Sequence, residues 1–296
     1  MSIVSKSAND LLGTAMTTES FPDVSLRPIH LQIGAQRIAG FESPGAGRPI
    51  LLVHGNSSSC RIWQKQLQGP LGGKYRLLAI DLPGHGASSP APDPEQGYSG
   101  PGYSAVIAAI ARELALKDAV IVGWSLGGHA VLNAAGAMPM AAGLMIFGTP
   151  PIGKGADGFS GFKGLSATAF TPSPTDTEIE AWLKSAFAPD YAAIPAFVAA
   201  DFRNTDGNAR GYLGASVQAG RFADEVEIVR NLKVPLAIVH GGEEQIVDLG
   251  YLHRLSAPTL WRGKVQVIEG AGHAAQWEKA EAFSATLDEF ASSLPA

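Results

Sequence analysis

Short apolar runs, each stopped by glycine, alternate with helical patterns along most of the chain, and this alternation limits the fold more than any other feature. A parallel strand pair needs a long crossover, normally a helix, so such a rhythm points to stacked βαβ units. HLQI and RIAGFES flank Gly34 and read as an opening antiparallel hairpin. Six more strand candidates follow: ILLVHG from Ile50, RLLAID from Arg76, AVIVG from Ala119, GLMIFG, PLAIVHG and KVQVIEG. Being apolar on both faces, they suit a sheet covered by helices on both sides. Residues 103–117 place Val106, Ile107, Ile110 and Leu114 on one helical stripe. Residues 126–137 are rich in alanine and leucine, and residues 277–290 read as an amphipathic final helix. The expected class is α/β, a mostly parallel eight-stranded sheet with helices on both faces.

Residues 151–222 break the rhythm, with no clear strand. Aromatic residues recur there at loose helical intervals: Phe159, Phe162, Phe170, Trp182, Phe187, Tyr191, Phe197, Phe202 and Tyr212. The stretch reads as an inserted helical cap. Most of these rings should hold helices together, and a minority should face an apolar pocket. The expected organisation is a loose leader at 1–24, a core from 25–150 and 223–296, and the cap at 151–222.

Composition narrows the function classes. Hydrophobic residues at 46% and charged residues at 17% build a packed core rather than a disordered chain. The net charge of -5 and the lack of a basic patch argue against nucleic acid as a partner. Cys60 is the single cysteine, which excludes an internal disulfide and cysteine-rich metal sites. It reads as an inert buried thiol. The opening MSIVSKSANDLLGTAMTTES lacks a basic region followed by an apolar run, and no stretch approaches the roughly 18 apolar residues of a membrane span. A cytoplasmic protein without metal or cofactor is expected.

The chemistry centres on GWSLGG at 123–128, a G-x-S-x-G pattern. With 35 glycines in the chain the pattern alone is weak. Its setting makes it specific: it follows the strand AVIV and opens a helix, as a nucleophile elbow requires. Ser125 is the candidate nucleophile, and a serine hydroxyl needs a base in reach and an acid to orient that base. His273, in the glycine-flanked loop EGAGHA after KVQVIE, is the candidate base, whereas His253 falls inside a helical pattern and reads as a surface residue. The loop GGEEQIVDL offers three carboxylates for the acid, Glu243, Glu244 and Asp248. The oxyanion donors should be the N–H groups of Leu126, after the nucleophile, and of Asn56, in HGNSSS. His54 reads as structural.

Together these motifs resemble the α/β-hydrolase superfamily over nearly the whole chain, which implies the α/β-hydrolase fold. Aligning Gly241 and Val247 with the G-x-x-D-x-x-V pattern common there puts Glu244 in the acid slot, a glutamate in place of the usual aspartate. HGNSSS, DLPGHGAS, GWSLGGHA, GTPP, TDG and LWRGKVQVIEGAGHA look more closely like the metal-independent N-acyl-homoserine lactonases of this superfamily. Those enzymes also use a glutamate acid. The resemblance implies ring opening of a lactone by Ser125, His273 and Glu244, with a carboxylesterase using the same triad as the alternative. Trp182 stands where that family has a tyrosine near the substrate, and Trp182 and Trp124 are the candidate substrate-binding residues. The expected partner is a small ester or lactone.

Overall fold

The computed structural model describes residues 25–295, so the expected leader at 1–24 lies outside the described residues. The strands are β1 (Arg27–Ile33), β2 (Gln36–Glu42), β3 (Gly47–Val53), β4 (Tyr75–Ile80), β5 (Ala119–Trp124), β6 (Ala141–Phe147), β7 (Leu236–Gly241) and β8 (Gln266–Ile268). They form one sheet ordered β1-β2-β4-β3-β5-β6-β7-β8. The β1–β2 hairpin is antiparallel and joins β4 antiparallel through Gly40 to Glu42; the remaining pairings are parallel. This is the expected eight-stranded, mostly parallel sheet.

The period-two geometry of a strand divides the core. Ile50 and Leu52 join one apolar cluster with Leu77, Ala79, Val120, Val122, Met145 and Phe147. Their neighbours Leu51, Val53, Leu78, Ile80, Ile121, Leu144 and Ile146 join a second cluster on the opposite face. Because both faces are buried, every residue of β5 and of β7 is buried. Each large aliphatic side chain so covered contributes about 1.5–3 kcal/mol.

The longer helices are α1 (Gly100–Glu113), α2 (Leu126–Ala134), α3 (Asp176–Ser185), α4 (Ala196–Asn204), α5 (Gly207–Gln218), α6 (Glu225–Asn231), α7 (Leu249–Arg254) and α8 (Ala280–Ser293). Helices α1 and α2 pack on the face of Leu51 and Ile121, through Ile107, Ile110, Val131 and Leu132. Helix α8 covers the other face with Phe283, Leu287 and Phe290. Helix α1 starts earlier than the stripe of apolar residues suggests, because the Ser99 hydroxyl accepts from Gly102 N–H and Pro101 occupies the first turn. It stops at Glu113 because Ala115 turns left-handed, at φ 48°. The final helix is broken at Lys279, so a short turn at Ala275–Glu278 precedes α8. Strand β8 is shorter than KVQVIEG suggests. It lies at the sheet edge with β7 as its single partner strand, and Val267 is exposed.

Between β6 and β7 the chain builds helices α3 to α6. Helix α3 opens with a capping box in which Thr175 and Glu178 satisfy each other's backbone N–H. Arg210 of α5 ties the segment together by donating to the carbonyls of Thr171, Pro172 and Phe202. Of its aromatics, Phe187 and Phe202 are core, Tyr212 is exposed, and Phe159, Phe162, Phe170 and Trp182 line a cavity at the C-terminal ends of the strands. Among the described residues no helix is long and apolar enough to cross a membrane.

Candidate active site

Strand β5 ends on Ser125, and α2 begins at the next residue. Ser125 has φ 53° and ψ -120°, a conformation that costs a non-glycine residue about 1–3 kcal/mol. Its surroundings hold it there. Ser125 N–H donates to Phe147 O at 2.9 Å, and Ser125 O accepts from Gly128 N–H and His129 N–H. The Thr149 hydroxyl lies 2.9 Å from Ser125 O and 3.0 Å from Phe147 O, bracing the turn from β6. The turn is too tight for side chains on either flank. A Cβ on Gly123 would sit 2.5 Å from Gly127 O, and one on Gly127 would sit 2.5 Å from His54 O.

His273 follows β8 in a loop and is 4% exposed. Its Nδ1–H donates to Glu244 Oε2 at 2.7 Å, which leaves Nε2 as the proton acceptor of the neutral ring. Glu244 Oε1 accepts from Ile246 N–H at 2.8 Å. Burial alone pushes the Glu244 carboxyl up, but the charge and hydrogen bond of His273 and the Ile246 amide outweigh it and hold the group below the usual carboxylate range. Of the three carboxylates in this loop, Glu244 is the one bonded to His273. Glu243 is exposed, and Asp248 caps α7 by accepting from Tyr251 N–H. His253 is exposed on α7.

Ser125 and His273 open onto the same cavity, of about 120 Å³, together with Asn56 and Leu126. Leu126 is the first residue of α2, so its N–H is among the first-turn amides that have no intrahelical partner. The Asn56 side chain donates to Ala169 O at 2.7 Å and ties the loop after β3 to the segment above it. The rest of the wall is mostly apolar, from Ile152, Phe159, Phe162, Phe170, Trp182, Leu213 and Ile246. Trp182 packs edge-on against Phe202, with ring centroids 4.9 Å apart.

Trp124 does not line this cavity. Its indole is buried and donates from Nε1 to His273 O at 2.8 Å. It sits behind the histidine loop because β5 is covered on both faces, so a residue one place before Ser125 points into the core. His54 is buried too: Nδ1–H donates to Gly55 O and Nε2 accepts from Leu82 N–H, which locks a neutral ring in a structural role. Burial first, and then His85, push its pKa well below the usual histidine range.

Over residues 50–286 the chain matches the model of the alpha/beta hydrolase family. The chain belongs to that family. Among solved structures, this hydrolase is similar to a glutamate-to-glycine variant of the N-acyl homoserine lactonase AidH complexed with N-hexanoyl homoserine. The two are 35% identical with a TM-score of 0.86, over 92% of this chain and 99% of that one. Among curated proteins it is similar to a non-heme haloperoxidase of Rhodococcus erythropolis, 27% identical over 83% of this chain and 93% of the relative. An esterase of Mycobacterium tuberculosis is 26% identical over 85% of each chain. The alpha/beta hydrolase described here is an enzyme acting on esters or lactones.

Several groups at the site carry no motif of their own. Glu278 accepts from the N–H groups of Gly272, Ala274 and Ala188, and so clamps the His273 loop to the segment between β6 and β7. Burial pushes its pKa up despite these three donors. Thr149 lies within GTPP, yet only the sheet places it beneath the Ser125 carbonyl. His129 and Glu225 also meet at the cavity wall, bonded at 2.7 Å. Among the described residues no cluster of three or more His, Cys, Asp or Glu is arranged to hold a metal ion.

Proposed function

We propose that this enzyme opens the lactone ring of N-acyl-homoserine lactones by acyl transfer through Ser125, as a quorum-quenching lactonase. The observation that carries the reading is the likeness to a lactonase, at 35% identity and a TM-score of 0.86 along 92% of the chain. A serine variant of that lactonase is complexed with N-hexanoyl homoserine lactone itself. The site chemistry supports the same reading. Ser125 attacks the lactone carbonyl while His273 Nε2 takes its proton, and Glu244 holds the tautomer and stabilises the imidazolium. The N–H groups of Leu126 and Asn56 stabilise the oxyanion. His273 then protonates the leaving alkoxide, the former ring oxygen, which stays tethered to the acyl-enzyme carbonyl through the homoserine carbons. Water, activated by His273, releases the free acid and Ser125.

The aromatic wall suits an acyl chain, and each methylene buried there contributes up to about 0.8 kcal/mol. Trp182 would close one side of that chain's path. A carboxylesterase using the same triad is the second reading, supported by the esterase relative. The test compares a lactone series with linear p-nitrophenyl esters. Proton release in weak buffer reports ring opening, and Ser125→Ala serves as the blank for spontaneous hydrolysis. Lactone opening above the blank, with KM falling as the chain lengthens, is expected. Good ester turnover with no lactone opening would replace the lactonase reading by the esterase one.

A further inference from the structure

One wall of the acyl cavity is not apolar. His129 lies on α2 one turn after Ser125, roughly 5.4 Å along the helix, and lines the same cavity. Its Nδ1–H donates to Glu225 Oε2 at 2.7 Å. Glu225 is 1% exposed, and its carboxylate also accepts from Asn133 Nδ2 at 2.6 Å and Ile152 N–H at 3.0 Å. Phe162 packs on the imidazole with ring centroids 6.2 Å apart. The ring is thus fixed from two sides, and Nε2, across the ring from Nδ1, is left without a protein partner among the described residues. The His129 side chain is 20% exposed. A buried carboxylate with three donors is an expensive way to support a surface histidine, and it serves well to orient one that reads a ligand.

We infer that His129 is a specificity-determining residue that selects acyl groups bearing a hydroxyl on the third carbon, with Glu225 as its positioning residue; this rests on the acyl-transfer reading above. The reach fits. In the lactone substrate a hydroxyl oxygen on the third acyl carbon lies six bonds from the ring carbonyl that Ser125 attacks, roughly 5–7 Å away given bonds of about 1.5 Å. A hydrogen bond of about 2.8 Å then spans the remaining distance to a side chain one helical turn from the nucleophile. A hydroxyl both donates and accepts, so it pairs with Nε2 whether or not the ring is protonated there. A ketone at the same carbon pairs only with the protonated ring.

The experiment measures kcat/KM of wild type and His129→Leu for N-hexanoyl, N-(3-hydroxyhexanoyl) and N-(3-oxohexanoyl) homoserine lactone. p-Nitrophenyl hexanoate and 6-hydroxyhexanoate, whose hydroxyl lies the same six bonds from the attacked carbonyl, are run in parallel. Wild type should prefer the 3-hydroxy chain over the plain one by about 3- to 10-fold, the worth of one net hydrogen bond. The 3-oxo chain should gain no more than the 3-hydroxy chain. His129→Leu should bring the ratio to one or below, because a hydroxyl buried against leucine lacks a partner. His129→Gln should restore part of the preference. Glu225→Gln should lower the ratio, which does not depend on how much enzyme is folded. A wild-type ratio near one, or an unchanged ratio in His129→Leu, overturns the proposal. If the esters turn over and the lactones do not, the lactonase reading fails while the ester ratio still decides the role of His129. Inhibition of wild type by the ring-opened products N-(3-hydroxyhexanoyl)homoserine against N-hexanoylhomoserine repeats the comparison without any variant, and equal inhibition constants overturn the proposal.

Discussion

Replacing Glu244 by glutamine changes one atom, and the structure fixes what that change does. The carboxylate serves two donors at once, His273 Nδ1–H through Oε2 at 2.7 Å and Ile246 N–H through Oε1 at 2.8 Å. An amide has one acceptor oxygen. If that oxygen faces Ile246, the NH2 group faces His273 and the ring must put its proton on Nε2, where it can no longer accept from Ser125. If the oxygen faces His273 instead, two donors meet at Ile246 in a buried site, at a cost of about 1–3 kcal/mol. In either arrangement the imidazolium loses its counter-charge. An acid-to-amide change of this kind costs about 10⁴-fold in kcat, roughly 5.5 kcal/mol of barrier. The assay is kcat at saturating p-nitrophenyl ester for Glu244→Gln, Glu243→Gln and Asp248→Asn, with melting curves on each. Glu243→Gln should be close to wild type, and Asp248→Asn should lose at most about 1 kcal/mol of stability through a weaker helix cap. Glu244→Gln should melt within a few degrees of wild type yet be nearly inactive. Retention of a tenth of the activity, or a larger loss at Asp248, would refute the reasoning.

Ser125→Ala should remove at least about 10³-fold of turnover, because the proposed triad acts as a unit; a residual rate above a tenth would move the nucleophile elsewhere. His85 is buried, and its pKa is lowered by burial to about 4. The unfolded chain therefore binds a proton at pH 5 that the folded chain refuses, so this stabilisation is complete above the unfolded pKa and falls as pH drops toward about 4. Between pH 7.5 and 5 His85 should account for about 2 kcal/mol of lost stability. Urea melts at both pH values should show His85→Gln losing about that much less than wild type, whatever its stability at pH 7.5; equal losses would contradict the assignment. Trp182→Ala should destabilise by about 3–5 kcal/mol, whereas Trp182→Phe should fold and accept longer acyl chains, seen as a shifted optimum in a chain-length series of KM values.

The sheet was legible because two-sided burial writes itself into the strands as continuous apolar runs, and glycines mark where they stop. The turn at Ser125 was legible for the same reason, since Gly123 and Gly127 are demanded by backbone contact. Choosing among Glu243, Glu244 and Asp248 needed a family pattern, because three carboxylates within six residues differ only in which way the loop points them. Trp124 was misread because proximity in sequence to a nucleophile says nothing about side-chain direction. Adjacent residues on a strand point to opposite faces. Glu278 and the His129–Glu225 pair were invisible for a different reason. Each works on a segment brought to it by the fold, Glu225 standing 96 residues from His129.

A short strap joins the segment between β6 and β7 to the loop that carries Glu244. Phe162 bridges Val247, Lys163 N–H donates to Ile246 O, Asp248 N–H donates to Gly161 O, and the Lys163 ammonium donates to the Glu244 carbonyl at 2.7 Å. The position of Glu244 is thus a joint property of two stretches 81 residues apart. On the proposed reading, substrate range and catalytic strength are therefore not separate modules in this chain. Grafting a relative's segment between β6 and β7 here without residues 161–163 would reshape the pocket and also loosen Glu244, the hydrogen-bond partner of His273. On the proposed reading, a lineage that diversifies its pocket through this segment must keep an equivalent strap for the sake of Glu244 and His273.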